Sequence, residues 1–328
     1  MNIVIPDDYQ NAVERLACFG LLDGHDVTIY REPATSFEAL VERLRPAEVV
    51  VAIRERVEFS RSLIERLPNL RLIALVGRNA TTIDYTAATE HGVMVATGQS
   101  NSPTSPAELT VALILAARRN IVLEAERMRR GEWPCTLSHR LRGSTLGIFG
   151  LGIIGSLVAQ AGAGLGMNVL AWGQAGSRER AAKAGYGFAA SQQDLFARAD
   201  VLSLHLRLRP DTRGIVGPAD LALMKPTALI VNTARAELIQ PGALLAGLRA
   251  GRPGYAAVDV YEDEPVTDGN HPFLSMPNVV CTPHLGWAEW DNFELYFSET
   301  FAQIAAYASG EALRLANPDV RPSSVRPA

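Results

Sequence analysis

The sequence predicts an α/β fold made of two doubly wound parallel-sheet domains, Rossmann-like or flavodoxin-like in type. Three observations predict it. Short apolar segments typical of buried strands alternate with amphipathic segments typical of helices. A turn-rich stretch at residues 101–106 interrupts this alternation, and a second series begins at Thr145. The length of 328 residues also exceeds what one hydrophobic core usually supports.

The first hundred residues are predicted to alternate strand and helix. The opening residues form a strand that ends at Pro6. Segments 36–44 and 60–67 have apolar residues at helical spacing, and each begins with a serine suited to an N-cap. Further short strands are predicted at residues 27–30, 49–53, 72–76 and 93–96.

The second series is predicted to form another parallel sheet. A helix is expected from about residue 107 to 130, others include 155–166 and 240–250, and an amphipathic helix covers Trp290–Ser309. Strands are predicted at 146–149, 169–172, 201–205, 228–232, 256–260 and 279–282. Three of them end in a polar residue: His205, Asn232 and Asp259. In open parallel sheets the ligand crevice lies at such strand ends.

Composition excludes two classes of function. The formal net charge of −4 argues against a nucleic-acid-binding protein, which usually carries a concentrated basic excess. Residues 143–177 lack any charge and are long enough to span a bilayer, but ten of them are glycine. Because the segment divides into strand, glycine turn, helix and strand, we interpret it as a buried βαβ unit and expect no membrane partner.

The cysteines indicate a reducing compartment. Cys18, Cys135 and Cys281 are scattered and lack the spacing of a zinc site, so no metal is expected. The first residues show no basic stretch followed by an apolar run, so no signal peptide is predicted. We therefore expect a cytoplasmic protein.

A glycine fingerprint indicates a dinucleotide site. Gly150, Gly152 and Gly155 follow an apolar strand and open a helix, which is the context this motif requires. The first glycine permits the turn, the second lets the backbone approach a pyrophosphate, and the third lets the helix pack on the strand. Backbone amides here, including those of Ile153 and Ile154, would bind the phosphates.

The acid that usually holds the adenosine ribose is missing. The second strand ends at Gly173 where a carboxylate is expected, which removes the main obstacle to a 2′-phosphate. Ser177 and Arg178 could supply a hydroxyl and a guanidinium to that phosphate. Equally, Arg178 could simply begin the helix 178–184 on a solvated face. The cofactor is therefore predicted to be NAD or NADP, with a slight preference for NADP.

Three late strand ends carry charged residues. Arg235 follows one strand, a carboxylate-rich turn containing Glu264 follows the next, and His284 follows the last. Taken singly, such residues are more often surface ion pairs, solvated turns or packing histidines than catalytic groups.

Their order and setting resemble the D-isomer-specific 2-hydroxyacid dehydrogenase family, which includes phosphoglycerate dehydrogenases and glyoxylate/hydroxypyruvate reductases. The motifs that carry the resemblance extend over nearly the whole chain, at residues 67–73, 83–84, 106–108, 145–150, 200–205, 232–235 and 283–284. The resemblance implies a dinucleotide-binding domain at residues 103–288, inserted in a substrate domain formed by 1–102 plus 289–328. It also implies hydride transfer between a nicotinamide and a small D-2-hydroxy acid or 2-oxo acid.

The resemblance further implies roles for individual residues. His284 would exchange the proton of the substrate hydroxyl, a task that suits histidine because its ordinary pKa lies near neutrality. Glu264 would orient His284 and favour the imidazolium, and Arg235 would bind the substrate carboxylate. Asp259 would contact the nicotinamide carboxamide. Other cofactor positions are Thr233, Ala234, His205, Thr212 and Gly286, with Arg207 a second candidate for a 2′-phosphate. Substrate positions are Val76, Gly77, Arg78 and Arg54.

Several positions depart from the family pattern. Ile153 replaces a frequent arginine, which is expected to matter little because backbone amides bind the phosphates. Ala236 stands where glycine usually follows the arginine. The substrate loop has Arg78 and Asn79 in place of the usual sequence, so the identity of the substrate is not predicted.

Alternative functions stay open. A phosphonate or phosphite dehydrogenase would share the arginine, glutamate and histidine. A formate dehydrogenase typically pairs its histidine with glutamine, so Glu264 argues against that function. A dinucleotide-sensing protein resembling the corepressors of this architecture would bind a cofactor without turnover. The family commonly forms homodimers, and the apolar helix at residues 109–117 would suit either an interface or the core.

Overall fold

The computed structural model describes residues 1–78, 80–267 and 269–321. The chain divides into two compact units. The five-stranded unit consists of Met1–Ser102 together with the chain from Glu289 onward, and the seven-stranded unit is Pro103–Ala288. Both are α/β units with parallel sheets, so the predicted fold class is confirmed.

The five-stranded unit has a flavodoxin-like strand order. Its strands are β1 (Asn2–Ile5), β2 (Asp26–Ile29), β3 (Val49–Ile53), β4 (Leu72–Val76) and β5 (Met94–Thr97). They pair in the order β2-β1-β3-β4-β5, all parallel. The direction of winding reverses between β1 and β3, and ligands of such sheets bind beyond the carboxyl ends at that point.

The helices of this unit begin close to where the serines predict. They are α1 (Phe37–Leu44), α2 (Arg61–Glu65) and α3 (Tyr85–Glu90), together with the C-terminal helix Trp290–Ser309. Ser36 caps α1 by accepting a hydrogen bond from the Ala39 amide at 3.2 Å. Ser60 is the N-cap residue of α2, as predicted, but its hydroxyl lies 2.9 Å from that of Ser62 and makes no capping hydrogen bond to the described chain. The C-terminal helix has the predicted bounds, because a continuous apolar stripe defines it.

The seven-stranded unit has the Rossmann order with one additional strand. Its strands are β6 (Thr145–Phe149), β7 (Asn168–Trp172), β8 (Gly187–Phe188), β9 (Val201–Leu204), β10 (Leu229–Asn232), β11 (Tyr255–Val258) and β12 (Val279–Cys281). They pair in the order β12-β11-β10-β9-β6-β7-β8, all parallel. The winding reverses between β6 and β9, which places the glycine fingerprint at the expected ligand crevice.

Seven α-helices in the described part of this unit flank the sheet: α4 (Thr104–Arg118), α5 (Ile121–Arg129), α6 (Ile153–Gly164), α7 (Ala175–Ala184), α8 (Gln192–Arg198), α9 (Pro218–Leu223) and α10 (Ala243–Arg249). The single helix predicted over 107–130 is wrong. Asn120 adopts a left-handed conformation, with φ of 53°, and separates α4 from α5. The helix predicted to begin at residue 178 begins three residues earlier, at Ala175.

The uncharged segment 143–177 forms β6, α6 and β7, as predicted. Its glycines allow close packing: a Cβ on Gly162 would lie 2.3 Å from a methyl carbon of Leu146. Among the described residues, no helix has both the length and the apolar character needed to cross a membrane.

Candidate active site

The glycine loop between β6 and α6 is built so that two of its glycines cannot be replaced without movement. Gly150 has φ of +98°, and a Cβ there would lie 2.8 Å from the His205 carbonyl oxygen at the end of β9. A Cβ on Gly155 would lie 2.3 Å from the Gly150 carbonyl oxygen. The loop therefore packs backbone against backbone, as the spacing predicts.

The same loop leaves room for a ligand at its tip. Among the described residues, no heavy atom lies within 4 Å of a Cβ placed on Gly152, and no side chain caps the first turn of α6. The amides that begin α6, at Ile153 and Ile154, are thus at an uncapped helix N-terminus, which suits an anionic phosphate. The Ile153 side chain is 66% exposed, so its size does not constrain the conformation of the loop. These features fit a dinucleotide pyrophosphate.

The end of β7 packs closely against the first turn of α7. Gly173 has φ of +154°, and a Cβ there would lie 2.8 Å from the Ser177 hydroxyl oxygen. Ser177 is itself buried in the first turn of α7. Glycine at this strand end therefore allows the strand to pack closely against the first turn of α7.

Arg178 is not the arginine that lies against the glycine loop. Its guanidinium lies 4.4 Å from the centre of the Phe188 ring on an exposed face. Arg180 instead donates a hydrogen bond from Nε to the carbonyl oxygen of Leu151 in the loop. Sequence reasoning missed Arg180 because it placed the start of α7 three residues late. With the start at Ala175, Gly176 and Arg180 lie one helical turn apart on the same face.

The end of β9 and the loop after it hold three further predicted cofactor residues. The Thr212 hydroxyl donates to the Arg207 carbonyl at 2.6 Å and accepts from the Arg209 amide at 2.8 Å, which closes the loop while leaving the Arg207 residue exposed. His205 Nε2 lies 2.9 Å from the Ser203 hydroxyl. Burial lowers the pKa of His205 to about 4, so this imidazole is neutral at physiological pH.

The turn after β10 is held by side-chain to backbone hydrogen bonds. The Asn232 amide group donates to the Arg235 carbonyl at 2.9 Å and accepts from the Ala234 amide at 3.1 Å. Arg235 Nη1 donates back to the Ala234 carbonyl at 2.8 Å. The Thr233 hydroxyl lies 2.7 Å from that of Thr110 on α4. The guanidinium is consequently presented from a fixed turn.

His284 and Glu264 are hydrogen-bonded to each other across two strand-end turns. Nδ1 of His284 lies 2.5 Å from Oε2 of Glu264, whose Oε1 accepts from the Tyr261 amide at 2.9 Å. Burial opposes ionisation of Glu264, but the hydrogen bond and charge of His284, the Tyr261 amide and the charge of Arg235 together lower its pKa. An ionised Glu264 fixes the imidazole through Nδ1 and leaves Nε2 to exchange a proton.

Asp259 lies beside this pair and is fully buried. Its Oδ1 accepts from the Thr282 hydroxyl at 2.6 Å and the Leu285 amide at 2.7 Å, and its Oδ2 accepts from the Gly286 amide at 2.8 Å. Burial raises its pKa although these three donors act in the opposite direction. Asp259 therefore holds the turn that carries His284. The structure brings Arg235, Asp259, Glu264, His284 and Gly286 to neighbouring strand ends of one sheet, as the sequence predicts.

The predicted substrate residues of the five-stranded unit also meet at strand ends. Arg54 follows β3 and Gly77 follows β4. A Cβ on Gly77 would lie 3.1 Å from Nη1 of Arg54. Val76 is the buried last residue of β4 and Arg78 is exposed, whereas Asn79 lies outside the described residues.

The Gly77 turn is fixed from the C-terminal helix. The Gly77 carbonyl accepts from the Gly98 amide at 2.8 Å, and the Glu299 carboxylate accepts from the amides of Gln99 at 2.9 Å and Ser100 at 3.1 Å. Sequence reasoning missed Glu299, because only the tertiary fold brings that helix beside the turn.

A charged cluster at the winding reversal of this sheet was also not predicted. Asp7, after β1, accepts a hydrogen bond from Arg56 at its backbone carbonyl. Burial raises the pKa of the Asp7 carboxyl to about 6, although the charges of Arg56 and Arg43 act against this. The acidic residues at the end of the first strand were the sequence signal from which this cluster could have been predicted.

The part of the chain that the structure describes contains no obvious set of metal ligands. No three histidine, cysteine, aspartate or glutamate side chains there converge as a metal site would require.

Comparison with known proteins identifies the family. Residues 111–286 match the family model described as the D-isomer specific 2-hydroxyacid dehydrogenase, NAD binding domain. A glyoxylate reductase from Aeropyrum pernix is 35% identical over 285 residues, which are 84% of this chain and 84% of that protein. The chain therefore belongs to the D-isomer specific 2-hydroxyacid dehydrogenase family, and the resemblance read from its motifs is confirmed.

Two further matches show the range of the relatives. A D-3-phosphoglycerate dehydrogenase from Methanocaldococcus jannaschii is 39% identical over 251 residues, which are 76% of this chain but only 47%, about half, of that protein's length. The crystal structure of a phosphoglycerate oxidoreductase from Vibrio cholerae superimposes with a TM-score of 0.91 at 46% identity, covering 94% of this chain and 99% of that one.

Proposed function

We propose that this protein is a nicotinamide-dependent oxidoreductase that interconverts small 2-oxo acids and D-2-hydroxy acids. The single observation that carries the proposal is the 2.5 Å contact between His284 and Glu264, with the Arg235 charge acting on the same carboxylate. The relatives named above include a glyoxylate reductase and a D-3-phosphoglycerate dehydrogenase, and both names denote reactions of this class.

His284 is the proposed acid–base residue. A bound nicotinamide supplies or accepts the hydride. His284 Nε2 donates a proton to the oxo oxygen during reduction and takes the hydroxyl proton during oxidation. Glu264, whose pKa is lowered, is held ionised and fixes the ring through Nδ1.

Substrate binding is assigned to charged and backbone groups. Arg235 offers a planar pair of donors to the substrate carboxylate, and its position is fixed by the Asn232 hydrogen bonds. In the five-stranded unit we assign the same role to the turn from Val76 to Arg78, with Arg54 for a distal group of the substrate.

NADP is the proposed cofactor. Gly173, which packs on Ser177, stands in place of the acid that would repel a 2′-phosphate. Arg180, which contacts the glycine loop, is a better candidate for that phosphate than Arg178, which lies over Phe188. Arg207 is exposed and could add a second positive charge.

A substrate panel tests the activity. NADPH and NADH oxidation would be followed with glyoxylate, hydroxypyruvate, pyruvate and bulkier 2-oxo acids, and phosphite would be tested with NADP⁺ and NAD⁺. We expect turnover with at least one 2-oxo acid. Tight cofactor binding without turnover of any compound would indicate a sensor, and turnover of phosphite alone would indicate the alternative dehydrogenase.

Two neighbouring arginines test the cofactor proposal. We expect Arg180→Ala to raise the KM for NADPH roughly 10- to 100-fold more than the KM for NADH, because a charge-assisted hydrogen bond to phosphate contributes about 1.5–3 kcal/mol. Arg178→Ala is the matched control and should change neither. An equal effect of Arg180→Ala on both cofactors would contradict the assignment.

A homodimer is also proposed, but through a surface other than the helix at residues 109–117. In that helix Leu113, Ile114 and Ala117 are buried in the core of the seven-stranded unit. The exposed apolar surface lies further along, where Trp133 is 81% and Leu137 is 94% exposed. Apolar surface of this kind marks association sites. Sedimentation should give a dimer, Trp133→Glu with Leu137→Glu should give a monomer, and Leu165→Glu should change nothing.

The proposed compartment is the cytoplasm. Cys18, Cys135 and Cys281 are all free thiols, which suits a reducing environment.

A further inference from the structure

A cavity in the seven-stranded unit lies outside the catalytic cluster. It opens at the carboxyl ends of β10 and β11, between α10 and the short helical turn Pro272–Ser275. Val258 and Val260 line it, whereas Asp259, which lies between them in sequence, does not. Because alternate residues of an extended segment point to opposite sides, the cavity and the Asp259 carboxylate lie on different faces.

The size of the cavity limits its occupant. Its volume is about 170 Å³, which is below the roughly 300–1,000 Å³ of sites for cofactors and drug-sized ligands. An engineered protein cavity of about 150 Å³ holds a single benzene molecule. The cavity therefore has the volume needed for one six-membered ring.

Most of the wall is apolar. Leu244, Val258, Val260 and Phe273 are each less than 10% exposed and face the space together with Leu245. Burying a ring here would remove apolar surface from water on both sides of the contact. The apolar wall therefore indicates a ligand whose main part is an uncharged hydrocarbon.

Four polar side chains line the cavity: Asn232, Gln240, Glu262 and His271. The amide groups of Asn232 and Gln240 already donate to the backbone carbonyls of Arg235 and Gly214, so His271 and Glu262 define the remaining chemistry. His271 Nδ1 accepts a hydrogen bond from the Phe273 amide at 3.3 Å, which leaves the proton of the neutral imidazole on Nε2. Nε2 lies 3.9 Å from Oε2 of Glu262, too far for a direct hydrogen bond. A hydroxyl oxygen placed between them can accept from Nε2–H and donate to the carboxylate at the same time.

We infer that this cavity is a binding site for a neutral, single-ring hydroxyl compound, of which phenol is the simplest example. The ring occupies the apolar wall, and the hydroxyl bridges His271 and Glu262. The occupant also contacts Ala236 and Asn232, and Asn232 holds the Arg235 turn. The site is thus distinct from the dinucleotide and substrate positions but shares a wall with the turn that carries the arginine.

Binding of 4-fluorophenol and fluorobenzene, measured by fluorine NMR on the full chain, tests the inference. We expect 4-fluorophenol to bind at least tenfold more tightly than fluorobenzene, since one well-placed hydrogen bond to a charged group contributes about 1.5–3 kcal/mol. Equal affinities, or no binding of either compound, would overturn the inference. The measurement involves no turnover, so it is independent of the proposed enzymatic function.

Substitutions locate the site. Leu245→Trp fills the cavity and should abolish binding, whereas Leu223→Trp, at an exposed leucine outside the cavity, should leave it intact. His271→Asn retains an acceptor for the Phe273 amide but removes the Nε2 donor, so it should lower 4-fluorophenol affinity to that of fluorobenzene. Undiminished binding by a folded Leu245→Trp variant would place the site elsewhere and contradict the inference.

Discussion

Two regions of the seven-stranded unit carry candidate functional residues, and they are built from different parts of the chain. The glycine-loop region, from Gly150 to Ser177, relies on backbone atoms and on the absence of side chains, as the 2.3 Å approach at Gly155 shows. The strand-end region, from Arg235 to Gly286, relies on charged side chains held by hydrogen bonds. The first is therefore sensitive to an added carbon atom, and the second to a removed charge or donor.

Gly155→Ala should break the glycine-loop region with the largest effect. The new Cβ meets a backbone carbonyl that cannot rotate away, so we expect the dinucleotide affinity to fall about 10- to 100-fold or more, with a loss of about 1–3 kcal/mol in the free energy of unfolding. Calorimetric titration and denaturant unfolding measure both. Gly164→Ala, whose Cβ meets nothing within 4 Å, is the control. Unchanged affinity in Gly155→Ala would mean that the loop does not hold the cofactor.

Arg235→Lys should break the strand-end region at the substrate. Lysine keeps the positive charge but loses the planar pair of donors, so the KM for the preferred 2-oxo acid should rise roughly 10- to 100-fold. The control is Arg213→Lys, an exposed arginine 3.6 Å from Glu237, which should behave as wild type. Steady-state kinetics provide the test, and an unchanged KM would remove Arg235 from the substrate site.

Glu264→Gln should test the charge of this residue in the strand-end region, because glutamine keeps the shape of the side chain and removes its charge. Because the amide cannot stabilise the imidazolium as a carboxylate does, kcat should fall roughly tenfold or more, with cofactor affinity preserved. The pKa of Glu264 is lowered in the folded state, so its ion pair contributes stability above the ordinary glutamate pKa and loses it as pH falls through the lowered value. The stability difference from wild type should accordingly shrink below about pH 4. Asp263→Asn is the control, and a variant with wild-type kcat would show that the pair has no part in proton transfer.

His205 also follows a strand, but it has no carboxylate partner in the described hydrogen bonds, so its expected effect is on the pH dependence of stability. Its pKa is lowered to about 4 by burial, so below about pH 6.5 the unfolded chain binds a proton that the native protein does not. Wild type should lose about 1–3 kcal/mol of unfolding free energy between pH 6.5 and pH 4 relative to His205→Asn. Denaturant unfolding at pH 7 and pH 5 measures this, with exposed His139→Asn as the control. A pH dependence identical in wild type and His205→Asn would contradict the assignment of a neutral histidine.

The sequence predicted the parts of the fold that local pattern determines. Apolar runs located eleven of the twelve described strands to within one or two residues, and the two-residue strand β8 was not predicted. The stripe of the C-terminal helix gave its bounds. The glycine spacing predicted the loop, because only glycine tolerates such backbone contacts.

Other features depend on tertiary contacts that no local pattern records. Asn120 adopts a left-handed conformation within an otherwise helical pattern, and this divided one predicted helix into two. The start of α7 was placed too late, which concealed the contact of Arg180 with the loop. Glu299 lies two hundred residues from Gln99 in sequence, so only the fold reveals that contact.

The central claim is that His284 exchanges the substrate proton, and His284→Ala tests it most directly. Single-turnover reduction of the preferred 2-oxo acid should be measured together with cofactor affinity. We expect a loss of about 10²- to 10⁴-fold in the rate of reduction, with cofactor affinity unchanged. Reduction at the wild-type rate by the folded variant would contradict it.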